Sequence, residues 1–482
     1  MHAKTLGELK KSKYQTQSIQ EEIRKNLIIK IKKKEKIFDG IFGYDHSVLP
    51  DIERALLSGH NMLLLGLRGQ AKTRIARLVT SLLDEYIPIV SGSEINDDPF
   101  HPVSKMAKEL IQNLGDQTPI DWIHRSERYV EKLATPDVTV ADLIGDLDPV
   151  KAASQRLDFS DEKAIHFGLI PRSNRSIFVI NELPDLQTRI QVSLFNILEE
   201  NDLQIRGFKI KLPLNLLFIF TANPEDYTQR GNIITPLKDR IQSQILTHYP
   251  ESLEIARKIT QQEISTSDVI KNSIFISNIL MDIIDQIAFS ARKSDLIDQK
   301  SGVSARLSIA ALELLYSAVQ RRMLQHSTQK GIARISDLLT IIPALTGKME
   351  LLLEGEQLGS YETALTIIND AVYQIAKNIL PKIENKKKST PSIYSHTTDW
   401  FNKGNILHLD STLTDKEYST SLELVPIASE LYEHFSKREH IIVKELILHF
   451  ISSSNSIQKE WLDQRISFKD SLASMLNDLN IQ

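Results

Sequence analysis

The chain has 482 residues, more than a single compact core accommodates, so we expect about three domains. Its 41% hydrophobic and 25% charged residues are those of an ordinary globular protein, which excludes wholesale disorder. The formal net charge is −4. The chain has no cysteine, which excludes disulfides, thiolate zinc sites and a cysteine nucleophile. Because it also has no apolar segment of membrane-spanning length, we expect a cytoplasmic protein.

Residues 1–37 are expected to form a basic helical arm. Isoleucines and glutamates interleave with the lysines, a pattern typical of an amphipathic helix with a solvated charged face. A basic arm can contact nucleic acid, but a useful footprint needs a basic patch on a folded surface, so we do not favour nucleic-acid binding. The lysines of the arm include Lys10, Lys11, Lys13, Lys30, Lys32, Lys33, Lys34 and Lys36.

The loop after the first predicted strand is the most informative segment. The apolar run 62–65 precedes it, and a helical pattern over 74–79 follows it. A buried strand, a glycine-containing loop and a helix N-terminus form a phosphate-binding loop, because backbone N–H groups and the helix dipole converge on phosphate oxygens. In such a loop Lys72 would reach the β and γ phosphates, and the Thr73 hydroxyl would bind Mg²⁺. The sequence therefore predicts a nucleoside triphosphate site.

The loop departs at one position from the usual pattern G-x-x-x-x-G-K-[ST]. Ala71 stands where the pattern has the glycine before the lysine. The alternative interpretation is an ordinary strand-to-helix turn with a solvated lysine. The loop residues that we predict to bind nucleotide are Gly66, Arg68, Gly69, Gln70, Ala71, Lys72 and Thr73.

Residues 38–250 alternate between strand and helix patterns, which predicts an α/β domain with a parallel sheet. The strongest strand signals are continuous apolar runs over 176–180 and 216–222, typical of strands that are buried on both faces. The other predicted elements are a helix over 47–57, a helix continuing over 77–87, a strand over 87–90, a helical insertion over 97–122, a helix over 185–200 and a β-hairpin over 203–212.

Residues 251–349 have almost entirely helical periodicity, which predicts a separate helical lid domain. Residues 350–482 form a C-terminal extension of unknown role. A segment near 382–400, rich in lysine, serine and threonine, is predicted to be an exposed linker. Helical patterns resume after residue 421, so we expect the extension to be mostly helical.

Polar residues at the ends of the buried strands are candidates for catalysis. Glu182 follows a buried strand, where it could orient water or accept its proton. Asn181 precedes it, at a position where nucleotide hydrolases usually carry a metal-binding aspartate, so Mg²⁺ would depend largely on Thr73 and the phosphates. The alternative for Glu182 is a solvated carboxylate near a helix N-terminus.

Two further residues could contact the γ phosphate. Asn223 ends the second buried strand and can hydrogen-bond both the phosphate and the attacking water; its alternative is a turn asparagine before a proline. Arg240 could stabilise the transition-state charge at the nucleotide of a neighbouring subunit. An ordinary surface ion pair is the alternative for this arginine.

Together these segments resemble the AAA+ ATPases, in the branch that contains the magnesium chelatase small ATPase subunit and the MoxR proteins. The resemblance extends over about residues 38–348, and the Ala-Lys-Thr end of the loop is similar to the MoxR form. The segments that carry it are 66–73, 177–182, 220–224, 237–240 and 302–306.

The resemblance implies a hexameric ring with ATP and Mg²⁺ at the subunit interfaces. It also implies that Glu182 is the catalytic base, that Asn223 is the sensor, that Arg240 acts in trans, and that Arg306 of the lid contacts nucleotide. Thr73 and Asn181 would lie at the metal. The hairpin around 206–207 would face the pore or a partner.

The resemblance implies a motor or chaperone that remodels a partner, in particular a protein with a von Willebrand factor A domain. This chain has no Asp-x-Ser-x-Ser run of such a domain, so the partner would be a separate chain. Nothing in the sequence indicates tetrapyrrole chemistry, and magnesium insertion into porphyrin is not favoured. The alternatives are a sigma-54-dependent type of transcriptional activator, whose Gly-Ala-Phe-Thr-Gly-Ala loop is absent, and a nucleotide-binding scaffold with little turnover, which Asn181 alone supports.

Overall fold

The computed structural model describes residues 3–148, 150, 162–204, 211–224, 231–300, 302–383, 392–462 and 465–470. Internal contacts divide the chain into two compact units, Met1–His248 and Tyr249–Gln482. Each unit is built around hydrophobic clusters of its own.

A parallel sheet forms the centre of the first unit. The strands of this unit are β1 (Met62–Leu65), β2 (Tyr86–Val90), β3 (Ile120–His124), β4 (Tyr129–Leu133), β5 (Gly145–Leu147), β6 (Ile165–Phe167), β7 (Ser176–Asn181), β8 (Asp202–Gln204), β9 (Lys211–Pro213), β10 (Leu216–Ala222) and β11 (Ser243–Leu246). Five strands pair in the order β11, β1, β10, β7, β4, and all neighbours are parallel. The predicted α/β fold class is confirmed.

The first unit also contains helices. They are α1 (Leu6–Lys11), α2 (Ile19–Lys33), α3 (Val48–Leu57), α4 (Lys72–Leu78), α5 (Lys105–Leu114), α6 (Val140–Leu143), α7 (Leu169–Arg172), α8 (Thr188–Ser193), α9 (Phe195–Glu200) and α10 (Thr235–Arg240). Short 3-10 helices lie at Val79–Leu82, Gly115–Gln117, Arg125–Arg128, Glu162–Ala164 and Leu183–Asp185.

Both faces of the sheet are buried because side chains alternate between two hydrophobic clusters. In β7, Ile177 and Val179 belong to one cluster, whereas Phe178 and Ile180 belong to the other. Strands β1, β7 and β10 are buried along their whole length. The continuous apolar runs in the sequence arise from this double burial.

Several predicted elements were wrong in extent or kind. The helical insertion predicted over 97–122 contains only α5 as an α-helix, and its end is strand β3, which pairs antiparallel with β2. The helix after the loop stops at Leu78, and the predicted helix over 185–200 is divided into α8 and α9. Strand β4 was not predicted, because its exposure is mixed rather than uniformly buried.

The predicted hairpin over 203–212 is present as antiparallel strands β8 and β9. Its turn, with the residues 206–207 predicted to face a pore or partner, lies outside the described residues.

The N-terminal arm is an integral part of the first unit, because the apolar face of its helix α2 is buried there. Ile19, Ile23 and Leu27 of α2 are buried in a cluster that also contains residues of β1 and β7. Glu22 forms a bidentate pair with Arg128, with both oxygen–nitrogen distances 2.6 Å and both side chains at most 3% exposed.

We expect Glu22→Gln to lower the free energy of unfolding of the first unit by about 3–5 kcal/mol, because it leaves the guanidinium of Arg128 buried without its charge partner. Denaturant titration of the full chain, followed by a probe in this unit, measures the change. The exposed Glu35→Gln is the matched control, with an expected change within about 0.5 kcal/mol. Equal unfolding midpoints for both variants would show that the arm is peripheral.

The second unit is mostly helical. Its helices are α11 (Leu253–Glu263), α12 (Asp268–Ser273), α13 (Asn278–Ala291), α14 (Arg306–Gln325), α15 (Ile342–Thr346), α16 (Leu353–Leu358), α17 (Ser360–Ile379), α18 (Ser395–Asn402), α19 (Asp415–Glu423) and α20 (His440–Ser452), with 3-10 helices at Ile335–Ile341 and Ser429–Leu431. Its strands are β12 (Ile274–Phe275), β13 (Gly331–Ile332), β14 (Leu407–Asp410), β15 (Ile457–Leu462) and β16 (Arg465–Asp470).

One hydrophobic cluster runs through this unit, from Ile274 to Phe468. It joins helices of the predicted lid to helices and strands of the C-terminal extension. The antiparallel sheet of β14, β16 and β15 was not predicted. Of the predicted linker, residues 384–391 lie outside the described part of the chain, and α18 occupies its end.

In the parts of the chain that the structure describes, no helix combines the length and the apolar character needed to cross a membrane.

Candidate nucleotide-binding site

The carboxyl ends of β1, β7 and β10 meet at one edge of the parallel sheet, because these strands are neighbours in register. This edge brings together residues that the sequence singled out. Lys72 Nζ donates to Asn223 Oδ1 at 2.8 Å, and Asn223 Nδ2 donates to Glu182 Oε2 at 3.0 Å. Asn181 lies within 3.4 Å of Thr73, measured from amide oxygen to hydroxyl oxygen.

The loop after β1 has the backbone that a phosphate-binding loop requires. A Cβ at Gly66 would overlap Thr247 Oγ1 and Gln70 Oε1, so any other residue there would displace these two side chains. Ala71 has φ 56°, in the left-handed region, which explains why the common pattern has glycine at this position. Alanine adopts this conformation at a cost of roughly 1–2 kcal/mol, so the substitution adds strain and keeps the shape of the loop.

Gln70 stabilises the loop through hydrogen bonds of its side chain and its backbone carbonyl. Its Oε1 accepts a hydrogen bond from Thr247 Oγ1 at 2.6 Å, and its backbone carbonyl accepts one from Tyr44 OH at 3.2 Å. The sequence grouped Gln70 with the residues that bind nucleotide, whereas the structure directs its side chain into the protein. Arg68 and Gly69 are exposed at the tip of the loop.

Lys72 is buried, with 7% of its surface exposed, so the alternative of a solvated lysine does not apply. Besides Asn223, its ammonium group donates to the carbonyls of Gly66 and Leu67, the latter at 2.9 Å. The ammonium is therefore held at the mouth of the loop by oxygen atoms. Phosphate oxygens could take the place of these acceptors with a gain in charge complementarity.

Glu182 lies immediately beyond β7 in a strained conformation. Its φ of 55° is in the left-handed region, and its N–H donates to Thr221 Oγ1 at 3.2 Å. Non-glycine residues in this region cost about 1–3 kcal/mol and persist only where the surroundings impose them. The turn directs the Glu182 carboxylate towards Asn223 rather than along the strand.

Asn181 has a hydrogen bond on each side of its amide. Its Oδ1 accepts from Thr221 Oγ1 at 3.0 Å and from Thr73 Oγ1 at 3.4 Å, and its Nδ2 donates to Glu131 Oε1 at 2.6 Å. The Thr73 hydroxyl and the Asn181 amide oxygen therefore lie side by side, and both are the hard oxygen ligands that Mg²⁺ prefers.

These residues fit a Mg²⁺ ion that a bound nucleotide brings. Among the described residues, no group of three or more histidine, aspartate and glutamate side chains could hold a metal without help. Mg²⁺ usually keeps several waters and binds through substrate phosphates, so a site with few protein ligands is sufficient. Thr73 and Asn181 would hold the ion together with phosphate oxygens, and the ion would neutralise phosphate charge.

Glu131 is a component of the site that the sequence did not indicate. It lies on β4, and its Oε2 accepts from Arg77 Nη2 and from Tyr129 OH, both at 3.0 Å. Burial and the neighbouring Glu131 carboxylate raise the pKa of Tyr129, which keeps its hydroxyl protonated and able to donate. No local pattern distinguishes Glu131 from any other glutamate on an edge strand.

The remaining two predicted residues are placed elsewhere. Arg240 ends α10, and within the described residues its hydrogen bonds and ring contact are to Glu199, Pro236 and Phe195. The Nη2–Oε2 distance to Glu199 is 2.7 Å and the arginine side chain is 28% exposed, which is the surface ion pair that the sequence left open. Arg306 begins α14 in the second unit and is exposed.

One family model matches part of the chain. The model of the AAA domain, dynein-related subfamily, matches residues 121–241. The matched region contains β4, β7 and β10, with Glu131, Asn181, Glu182, Asn223 and Arg240, whereas the loop at 66–73 precedes it.

Two curated relatives are named after subunits of magnesium chelatase. The chain is 26% identical over 203 residues to a magnesium-chelatase subunit ChlI homologue from Methanocaldococcus jannaschii, which covers 42% of this chain and 52% of the relative. It is 25% identical over 231 residues to the magnesium-chelatase 38 kDa subunit of Cereibacter sphaeroides, covering 46% and 61%. The chain therefore spans between half and two thirds of the length of these relatives.

Among solved structures, the chain is similar to a complex between subunits BchI and BchD of magnesium chelatase. The sequence identity is 19%, the TM-score is 0.32, and the match covers 64% of this chain and 95% of that chain.

Proposed function

From the premise that this chain is an AAA+ protein related to the ATPase subunits of magnesium chelatase, as its sequence indicated and the comparisons confirm, we propose that it binds and hydrolyses ATP with Mg²⁺. The proposal further holds that the protein works as a ring-shaped motor that remodels a separate protein. Its substrate is the nucleoside triphosphate, and its mechanical output acts on the partner.

One observation carries the proposal: a continuous hydrogen-bonded path runs from Lys72 through Asn223 to Glu182 at the edge of the sheet. A phosphate-binding lysine, a polar sensor and a candidate base need to lie within reach of one γ phosphate and one water molecule. Lys72 and Asn223, separated by 151 positions in sequence, meet here because their strands are neighbours.

In this proposal each side chain has one task. Lys72 binds the β and γ phosphates, and Thr73 and Asn181 provide oxygen atoms for Mg²⁺. Glu182 orients the attacking water and accepts its proton, while Asn223 holds both the water and the γ phosphate. Asn223 bonds to both Lys72 and Glu182, so nucleotide binding has to exchange these contacts for contacts to phosphate.

Hydrolysis also requires a positive charge opposite the leaving phosphates, and Arg240 is our candidate. On its own subunit it pairs with Glu199, and it remains partly exposed. A partly exposed arginine on the matched AAA region could enter the nucleotide site of the next subunit in a ring. Arg306 is proposed to contact nucleotide from the lid.

We expect Arg240→Ala to retain ATP binding and to lower the turnover of the assembled protein by about 10²-fold, because one donor to the transition-state charge is lost. Steady-state phosphate release and nucleotide titration separate the two effects. Glu199→Ala is the matched control, since it removes the same ion pair and leaves the arginine. Full activity of Arg240→Ala would assign the trans role to another arginine, such as Arg230, which lies outside the described residues.

A mixing experiment tests whether Arg240 acts between subunits. Lys72→Ala protomers keep the arginine, and Arg240→Ala protomers keep the phosphate-binding loop. If the site is shared, mixed assemblies regain part of the turnover that each variant lacks alone. No recovery after verified subunit exchange would contradict action in trans.

The proposed client is a protein with a von Willebrand factor A domain, as the resemblance to this branch suggests. Retention of such a protein by an ATP-bound, hydrolysis-deficient ring would support the assignment. The motor function itself is tested separately, by ATP turnover.

A further inference from the structure

Asn181, the last residue of β7, and Glu131, in the middle of the neighbouring strand β4, are held together by a hydrogen bond. Strands β4 and β7 pair in parallel, and the Asn181 amide nitrogen donates to Glu131 Oε1 at 2.6 Å. The second oxygen of Glu131 accepts from Arg77 and from Tyr129, each at 3.0 Å. Both oxygens of this carboxylate are therefore engaged, and one of them is committed to Asn181.

The carboxylate determines which way the Asn181 amide points. An ionised carboxylate only accepts hydrogen bonds, so Asn181 has to present its NH₂ group to Glu131. The amide oxygen then faces the hydroxyls of Thr221 and Thr73, at 3.0 and 3.4 Å. If the amide turned over, it would present a donor to the place where an oxygen ligand is needed.

The position of charge is as informative as the orientation. Related nucleotide hydrolases carry an aspartate where this chain has Asn181, and the negative charge here lies one strand away, on Glu131. We propose that Glu131 is a positioning residue that replaces the missing aspartate. It orients the Asn181 amide oxygen towards the Mg²⁺ position beside Thr73, and its carboxylate places one negative charge next to that position. This inference rests on the proposed function, since it concerns the Mg²⁺ that accompanies ATP.

The contact between Asn181 and Glu131 explains why Asn181→Asp alone should not strengthen Mg²⁺ binding. It would place a second carboxylate in contact with Glu131, and like charges at that distance cannot both ionise without a large penalty. The exchange variant, Asn181→Asp combined with Glu131→Gln, avoids the conflict. The new amide on β4 would donate its NH₂ group to the new carboxylate on β7 and accept from Arg77 and Tyr129 with its oxygen, so every partner is satisfied.

Glu131→Gln alone should weaken the site for a different reason. The introduced amide cannot present its NH₂ group to Arg77, which only donates, so its oxygen stays with Arg77 and its NH₂ group faces Asn181. Asn181 then has to turn its oxygen towards that amide and its own NH₂ group towards Thr73. The site loses both the charge and the orientation of the oxygen ligand.

The experiment measures affinity for a non-hydrolysable ATP analogue by calorimetry, with Mg²⁺ and with EDTA. We expect Glu131→Gln and Asn181→Asp each to reduce the gain in affinity from Mg²⁺ by about tenfold, the usual effect of losing an outer-shell partner, with little change in EDTA. The exchange variant should recover the wild-type gain. Arg77→Gln is the control, because it breaks the Arg77–Glu131 ion pair and leaves the carboxylate beside Asn181.

The results separate this inference from the function that it rests on. An unchanged Mg²⁺ gain in Glu131→Gln, an equal loss in Arg77→Gln, or a gain in Asn181→Asp as large as in the exchange variant would overturn the role of Glu131 while the chain still binds nucleotide. If the wild-type chain binds no analogue in either condition, the proposed function fails and the inference fails with it.

Discussion

Lys72→Ala is expected to reduce ATP affinity by about 10²- to 10⁴-fold, which removes binding at ordinary concentrations. The ammonium group would make charge-assisted bonds to two phosphates, and each such bond contributes about 1.5–3 kcal/mol. The ammonium group donates to carbonyl and amide oxygens, which are neutral acceptors that a charged phosphate can replace. Calorimetric titration with ATP and with ADP measures the loss.

A folding control is needed because Lys72 is buried and bonded to the loop. Lys72→Arg keeps the positive charge and the donors with a wider head group, so it should fold like the wild type and bind nucleotide poorly. Unfolding curves that coincide for the wild type and both variants assign the affinity loss to the site. Wild-type affinity in a well-folded Lys72→Ala would remove the central argument for a nucleotide site.

Glu182→Gln is expected to lower ATP turnover by about 10²- to 10⁴-fold and to leave ATP affinity within about threefold of the wild type, since the amide cannot take the proton of the attacking water. The variant retains an oxygen and gains a donor, so its contact to Asn223 can persist after an amide turn. Single-turnover hydrolysis, measured beside nucleotide titration, separates chemistry from binding.

The same variant distinguishes a motor from a scaffold. If the wild type, Glu182→Gln and the Asn181→Asp, Glu131→Gln exchange variant all hydrolyse ATP at the same background rate, the protein is a nucleotide-binding scaffold with little turnover. If only Glu182→Gln is inactive, it provides the ATP-locked protein for capturing the partner. An active Glu182→Gln would transfer the role of base to another side chain.

The amino-acid pattern was sufficient wherever function depends on a short, continuous segment. The loop around Lys72 is formed by neighbouring residues, and its backbone is dictated by glycines and by the helix that follows. Strands β7 and β10 could be predicted because burial on both faces demands unbroken apolar runs. The residues at their ends, Asn181, Glu182 and Asn223, could therefore be named from the sequence.

Other features followed only from contacts between distant segments. Strand β4 has mixed burial, so its sequence does not reveal that it pairs with β7. This pairing places Glu131 in contact with Asn181, 50 residues away in the chain. The lysines of the arm predicted an amphipathic helix with a solvated charged face, and they gave no sign of the buried Glu22–Arg128 pair, which joins residues 106 positions apart. Charge counts do not show which few side chains of an amphipathic helix are buried.

The sequence by itself predicted the α/β class, the glycine-containing loop around Lys72 and the set of polar strand ends, because each depends on local periodicity and on residue chemistry. The tertiary structure decided which of these residues meet, which way the Asn181 amide points, and where the negative charge beside it lies. The physical reason is that orientation and charge placement come from pairing between strands, and strand pairing is set by the packing of the whole unit.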